Sequence, residues 1–118
     1  MSKLHPSGEI LINEKRIGKK HPVYFIAEIG SNFDGDLNRA KDLIYMAKDA
    51  GADAAKFQHY TANSLVSASG FEKIGNKNSH QSAWSDSVYK TYENASLAAE
   101  WTGELEKTCK EAGVAFLT

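Results

Sequence analysis

The stretch VYFIAEIGSNFDG, residues 23–35, has the features of a strand that ends in a carboxylate and then turns. Its first five residues form a short, nearly continuous apolar run, which is typical of a strand buried on both faces of a parallel sheet. Glu28 follows directly at the end of this run. Because ligands bind at this end of the strands in open α/β sheets and in closed barrels, we expect Glu28 to face a polar site.

The residues after this strand predict an amphipathic helix. Residues 31–35 are typical of a turn, and Asp36 is placed to cap a helix that starts at Leu37. Apolar residues then recur at spacings of three and four, with charged residues on the other face. Gly51 is expected to end this helix in the left-handed conformation.

A second strand is predicted at residues 54–58, AAKFQ, which follow the helix after a short turn. A right-handed crossover would make this strand parallel to the first one. Strand alternation places Lys56 and Gln58 on one face, and Phe57 on the opposite face against the helices. If the sheet is curled into a barrel, Lys56 and Gln58 point inward on the same side as Glu28.

The remaining segments extend the same pattern. We expect a long polar loop over residues 60–82, a short helix over residues 86–94, a longer helix over residues 98–112, and a third buried strand over residues 114–118. Residues 1–22 predict a tail and a β-hairpin, interpreted as a flap at one end of the domain. The division is therefore 1–22 for tail and hairpin, and 23–118 for an α/β portion of (β/α)8 TIM-barrel type. Only the N-terminal hairpin and about three βα units of such a barrel are present, so we expect the isolated chain to be unstable, oligomeric or prone to aggregation.

Composition excludes several classes of protein. The chain has 118 residues, 42% hydrophobic and 25% charged, with a net charge of −1. This balance argues against non-specific binding to nucleic acid or to a membrane surface. No window resembles a signal peptide or a membrane span, so a cytoplasmic location is expected. The single cysteine, Cys109, excludes an internal disulfide and is expected to be a packing residue.

Glu28 and Lys56 are the residues that we expect to carry chemistry. At neighbouring strand ends, about 4.8 Å apart, a carboxylate and an ammonium can bind opposite ends of one polar substrate, or can form a structural ion pair. Gln58 would extend this polar face, either to contact a hydroxyl or amide of a ligand or to bond the backbone. Asn76 is either a turn residue or a ligand contact. The histidines show no metal-binding spacing, and no dinucleotide, P-loop or nucleophile-elbow motif is present.

Four motifs together resemble the opening of the N-acetylneuraminate (sialic acid) synthase family. They are a strand that ends in Ala27-Glu28, the turn Gly30-Ser31-Asn32, the sequence Ala50-Gly51-Ala52-Asp53, and the strand Lys56-Phe57-Gln58. The closing WTGELEKTCKEAGVAFLT is similar to the third helix and strand of that family. The likeness runs from about Pro22 to Thr118.

The resemblance implies a (β/α)8 barrel enzyme that condenses phosphoenolpyruvate with an N-acylated amino sugar such as N-acetylmannosamine and releases phosphate. It implies that Lys56 contacts phosphoenolpyruvate, that Glu28 is the catalytic carboxylate, and that Gln58 and Asn76 contact the sugar. It also implies a divalent metal, Mn or Mg, with ligands outside this chain, and a homodimer for the full-length form.

Two departures from the family pattern affect these expectations. Phe33 stands where many members carry His, which bears on the identity of the sugar. Thr118 stands at the end of the third strand, before the family's further phosphate-binding residues, metal-binding histidines and antifreeze-like domain. We therefore expect an N-terminal fragment that is inactive alone.

Two alternatives to this reading stay open. One is another phosphoenolpyruvate-condensing barrel, in which Lys56 keeps its role and Glu28 does not. The other is a non-catalytic interaction module derived from a truncated barrel.

Overall fold

The computed structural model describes residues 8–65, 67, 69–70 and 87–118. The described strands form a two-stranded antiparallel hairpin and a three-stranded parallel sheet, with helices between the strands of the latter. In chain order the elements are β1 (Ile10–Ile12), β2 (Lys15–Ile17), β3 (Ile26–Gly30), α1 (Leu37–Asp49), β4 (Ala54–Phe57), α2 (Ala62–Leu65), α3 (Val88–Ala95), a 3-10 turn (Ala99–Trp101), α4 (Thr102–Ala112) and β5 (Ala115–Leu117).

The predicted hairpin is confirmed, and the structure adds its turn type. Asn13 and Glu14 both have positive φ, at 42° and 65°, which is the pattern of a type I′ turn. Lys15 forms an ion pair with Asp53, the residue that precedes β4. The hairpin therefore contacts the amino end of the parallel sheet. The interpretation of the hairpin as a flap at one end of the barrel stays a prediction, and so does the division of the chain at residue 22.

The predicted β-α-β unit is also confirmed. The Asp36 side chain accepts hydrogen bonds from the backbone N–H groups of Asn38 and Arg39, at 2.8 and 3.1 Å, and so caps α1. Gly51 follows the helix with φ 91°, a conformation that glycine adopts without steric cost. β4 then pairs in parallel with β3 on one side and with β5 on the other, so β4 is the central strand.

The first strand lies later in the chain than the apolar run predicts. β3 begins at Ile26 and continues past Glu28 to Gly30, whereas Val23 and Phe25 lie outside it and are 72% and 61% exposed. The prediction of a strand buried on both faces from residue 23 is therefore wrong. β3 is an edge strand of the described sheet, so its first residues have a strand neighbour on one side only.

Phe33 belongs to the hydrophobic core. Its side chain is fully buried, and its ring centroid lies 6.2 Å from those of both Phe57 and Trp101. The ring packs against Phe57 of β4 and against Trp101, and the bearing of this position on the identity of the sugar stays a prediction. The core also contains Ile29, Ala40, Ile44, Ala55, Leu97, Leu105, Cys109 and Val114.

Cys109 lies in this core as a packing residue, as predicted. Burial raises the pKa of its thiol to about 11, so the thiolate is disfavoured at neutral pH. The side chain therefore behaves as a small apolar group.

The second half of the chain follows the predicted order of helix, helix and strand with shifted boundaries, but the predicted loop over residues 60–82 contains a short helix, α2 (Ala62–Leu65). α3 begins at Val88, after Ser87, whose side chain accepts a hydrogen bond from the Lys90 N–H at 3.2 Å; the predicted start at Asp86 lies outside the described residues. The predicted helix over residues 98–112 consists of the 3-10 turn and then α4, and Gly113 ends it with φ 80°. Within the described residues, no helix has the length and apolar character that crossing a membrane requires.

Candidate functional site

Glu28 and Lys56 lie directly opposite each other where β3 and β4 approach their carboxyl ends. The parallel register pairs the two residues, and Lys56 Nζ lies 3.0 Å from Glu28 Oε2. The Glu28 side chain is 50% exposed and that of Lys56 is 43% exposed. The structure thus brings the two predicted residues together in an ion pair that solvent and ligands can reach.

A β-bulge after Glu28 changes the direction of the chain. The regular register with β4 breaks between Glu28 and Gly30, and Ile29 turns into the core. Gly30 has φ 59°, and the Asn32 N–H donates a hydrogen bond to the Ile29 carbonyl at 3.1 Å. A positive φ at the first central residue alone is the pattern of a type II′ turn, which requires glycine there. The motif Gly30-Ser31-Asn32 therefore closes the strand tightly beside Glu28.

Gln58 joins the same group of side chains. A Cβ atom built on Gly30 would lie 3.7 Å from Glu28 Oε1 and 3.8 Å from Gln58 Oε1. Glu28, Lys56 and Gln58 are therefore clustered at one end of the sheet, as the alternation of strand residues predicts. Asn76, the fourth predicted site residue, lies outside the described residues.

Asn32 also lies beside this cluster, although its sequence pattern indicates only a turn residue. Its side-chain Nδ2 lies 3.9 Å from the same point above Gly30, and it donates a hydrogen bond to the Ile29 carbonyl at 2.9 Å. The signal was present in the sequence, because an Asn two residues after a turn glycine lies close to the strand end.

Hydrogen bonds fix the residues that surround this cluster. Ser31 Oγ donates to the Tyr60 hydroxyl at 3.0 Å, which ties the turn after β3 to the chain after β4. His59 Nε2 lies 2.8 Å from Thr102 Oγ1, and its other ring nitrogen is hydrogen-bonded to Thr118. The segment that follows Lys56 is thus held by contacts with three other parts of the chain.

The opposite end of the sheet carries a structural ion pair. The Lys15 ammonium, together with the Phe25 N–H at 2.8 Å, holds the pKa of the Asp53 carboxyl below its usual range. This pair connects the hairpin to the start of β3 and β4. It lies at the strand starts and is therefore separate from the Glu28 cluster.

Metal binding is not assigned to this site. Among the described residues there is no group of three or more His, Cys, Asp or Glu side chains that could hold a metal ion. The resemblance places the ligands of the divalent metal outside this chain, and no chemical step is assigned to the metal at this site.

Comparison with known proteins gives consistent matches. The NeuB family profile matches residues 43–118, which include Lys56 and Gln58. The spore coat polysaccharide biosynthesis protein SpsE of Bacillus subtilis is 36% identical over 107 residues, which are 91% of this chain and 27% of that protein. The N-acetylneuraminate-9-phosphate synthase of Homo sapiens is 32% identical over 100 residues, or 85% of this chain and 27% of that protein.

A solved structure agrees with these matches. The crystal structure of an N-acetylneuraminic acid (sialic acid) synthetase from Leptospira borgpetersenii superposes with a TM-score of 0.68 at 29% identity, covering 94% of this chain and 33% of that one. The chain thus spans about a quarter of the length of the relatives named above. The family profile alone covers more than half of the sequence, and the parallel β-α-β fold agrees with it. The chain belongs to the NeuB family.

Proposed function

We propose that this chain supplies the Glu28 and Lys56 part of the catalytic site of a nonulosonic acid synthase. Such an enzyme condenses phosphoenolpyruvate with an N-acylated amino sugar, of the N-acetylmannosamine type, to give a sialic acid-type product and phosphate. The ion pair of 3.0 Å at the strand ends is the observation that carries this proposal. Relatives whose names specify N-acetylneuraminate or sialic acid synthesis support it.

Lys56 is assigned to phosphoenolpyruvate in this proposal. A compact ammonium suits a phosphate or carboxylate oxygen, and the half-exposed position leaves room for an anion to approach. An arriving anion competes with Glu28 for the Lys56 ammonium. Binding of phosphoenolpyruvate therefore releases the Glu28 carboxylate from its ion pair, so that it is available once the substrate is bound.

Glu28 is assigned to a proton or to the attacking water. A carboxylate at this position can accept a proton or orient a water molecule toward the cationic intermediate, and it stabilises positive charge by its own negative charge. Gln58 Oε1 lies near Gly30, as does Glu28 Oε1, and Gln58 is assigned to the sugar. Asn76 keeps its predicted role as a second sugar contact. Held by ligands outside this chain, the divalent metal would supply Lewis-acid chemistry.

The test combines this chain with a polypeptide that carries the remaining length of the Bacillus subtilis relative. Phosphate release from phosphoenolpyruvate is measured with and without N-acetylmannosamine, in the presence of Mn or Mg. We expect no release from the 118 residues alone and sugar-dependent release from the mixture. Glu28→Gln should lower kcat by about 10²-fold or more, and Lys56→Ala should raise the KM for phosphoenolpyruvate as well as lower the rate.

A matched control is available on the helices. Lys41 and Glu104 form another exposed ion pair of 3.0 Å, between α1 and α4. Lys41→Ala and Glu104→Gln remove the same charges far from the strand ends and should leave the rate within about twofold, since exposed pairs contribute little.

Other outcomes would support the alternative functions. Activity that is lost in Lys56→Ala and kept in Glu28→Gln would indicate a different phosphoenolpyruvate-condensing barrel. Assembly of the two polypeptides without turnover under either metal would indicate an interaction module. The open edges of β3 and β5 in the described sheet make such assembly a specific expectation.

A further inference from the structure

Three polar groups share the space above the Cα atom of Gly30. Glu28 Oε1, Gln58 Oε1 and Asn32 Nδ2 lie 3.7, 3.8 and 3.9 Å from the point where a Cβ atom would be. The Glu28 oxygen in this group is not the one that pairs with Lys56, because Lys56 contacts Oε2. The carboxylate therefore has one oxygen on the lysine side and one oxygen on the Gly30 side.

The Asn32 side chain is not needed to close the turn. The Ile29 carbonyl already accepts the Asn32 backbone N–H at 3.1 Å, and the side-chain Nδ2 adds a bond to the same oxygen at 2.9 Å. An amide nitrogen has two N–H groups, so one remains after this bond. The bond to Ile29 thus orients the amide, and its second N–H is available beside Glu28 and Gln58.

We propose that Asn32 is a substrate-binding residue that receives one hydroxyl group of the sugar above Gly30; this inference rests on the proposed synthase function. A hydroxyl both donates and accepts hydrogen bonds. Here it accepts one from Asn32 Nδ2 and donates one to Glu28 Oε1 or Gln58 Oε1. Glycine at position 30 carries no side chain into this region, where a Cβ atom would lie 3.7 to 3.9 Å from all three groups, so the approach to them stays open.

The first test compares Asn32→Ala with Ser31→Ala in the mixture described above. Asn32→Ala keeps the backbone bond of the turn, and it should raise the KM for N-acetylmannosamine about 3- to 10-fold, the equivalent of one neutral hydrogen bond. The KM for phosphoenolpyruvate should stay unchanged. Ser31→Ala removes the neighbouring bond to Tyr60 in the same turn and should leave both KM values within about twofold.

A purely structural role for Asn32 gives a different result. Loss of folded protein lowers the apparent kcat and leaves both KM values unchanged, because fewer sites of normal affinity remain. That outcome would overturn the proposal. So would equal increases of the two KM values.

Monodeoxy analogues of N-acetylmannosamine identify the hydroxyl. Asn32→Ala should weaken every analogue except the one that lacks the group bound by Asn32, for which the variant and the wild type should agree. An equal loss of affinity for every analogue in the series would contradict a hydroxyl contact.

Equilibrium binding separates this inference from the proposed function. Binding of N-acetylmannosamine to the same mixture is measured by saturation-transfer NMR, which requires no turnover. Weaker binding by Asn32→Ala than by wild type supports the subsite even where no phosphate is released, an outcome that would refute only the synthase reaction. Sugar binding that is absent, or equal in the two proteins, overturns the subsite.

Discussion

Replacing Phe33 by alanine should destabilise the chain far more than the same change at Phe25. The Phe33 ring is 0% exposed and contacts the rings of Phe57 and Trp101, with centroids 6.2 Å away. Removing a buried phenylalanine costs about 3–5 kcal/mol, because the transfer energy is lost and a cavity remains. Phe25 is 61% exposed, so its removal should change the free energy of unfolding by no more than about 1 kcal/mol.

Urea denaturation of the 118-residue chain in its mixture with the polypeptide that carries the remaining length, followed by far-UV circular dichroism, measures this difference. With an m-value of about 1–3 kcal/mol/M, Phe33→Ala should lower the midpoint by about 1 M or more. Phe33→Leu, with a cost of about 1–2 kcal/mol, keeps the comparison measurable if the alanine variant is unfolded in water. Phe25→Leu is its matched control and should be nearly neutral. Equal losses at the two positions would refute the assignment of Phe33 to the core.

Two further predictions concern the ion pair at the hairpin and the helix ends. Since Lys15 and the Phe25 N–H lower the folded-state pKa of Asp53, its stabilising effect is complete above the unfolded value of about 3.9 and is lost as the pH falls through the folded value. Asp53→Asn should therefore lower the urea midpoint at pH 7, and the difference from the wild type should shrink progressively as the pH is lowered through the acid range; a constant difference would contradict this. Gly113→Ala should lower the free energy of unfolding, measured by thermal denaturation, by about 1–2 kcal/mol, because φ is 80° at this position. Gly103→Ala, whose Cβ would meet no atom within 4 Å, should instead stabilise α4 by up to about 1 kcal/mol; the same sign at both glycines would be inconsistent with the structure.

The sequence predicts the parts of the fold that depend on local signals. The Asp36 cap and the helix ends at Gly51 and Gly113 follow from rules that act over a few residues. The parallel pairing of β3 with β4 follows from the crossover rule for β-α-β units. The apolar run from Val23 is a case where such a rule fails. Its pattern is that of a buried strand, but burial depends on which elements cover the strand, and the sequence does not contain that information locally.

Phe33 lies in the turn that the sequence predicts, but the burial of its ring does not follow from the local pattern. A phenylalanine between Asn32 and Asp34 looks like a turn residue, and only the three-dimensional path of the turn directs its ring into the core. The next turn explains how this occurs: Asp34 and Gly35 both have positive φ, at 50° and 70°, and the Asp36 N–H bonds the Phe33 carbonyl at 3.0 Å. Two successive tight turns therefore reverse the chain on both sides of Phe33. Strand alternation is sufficient to predict that Lys56 and Gln58 lie on one face of the sheet. The position of the Asn32 side chain depends on the geometry of the bulge and turn, which the sequence pattern does not show.

The exposure of the Glu28–Lys56 pair is itself an argument for function over structure. An ion pair that is half exposed on both sides contributes at most about 1 kcal/mol, because water screens the charges. The fold therefore does not depend on this pair; its stability comes from the ring cluster around Phe33 and from the capped helices. Because the pair is weak, Lys56 can exchange Glu28 for a substrate anion at little cost in free energy. A buried pair could not be exchanged in this way, since separating its partners would leave an uncompensated charge at a cost of about 3–5 kcal/mol. The position of these charges at the open ends of the strands is thus suited to binding a substrate.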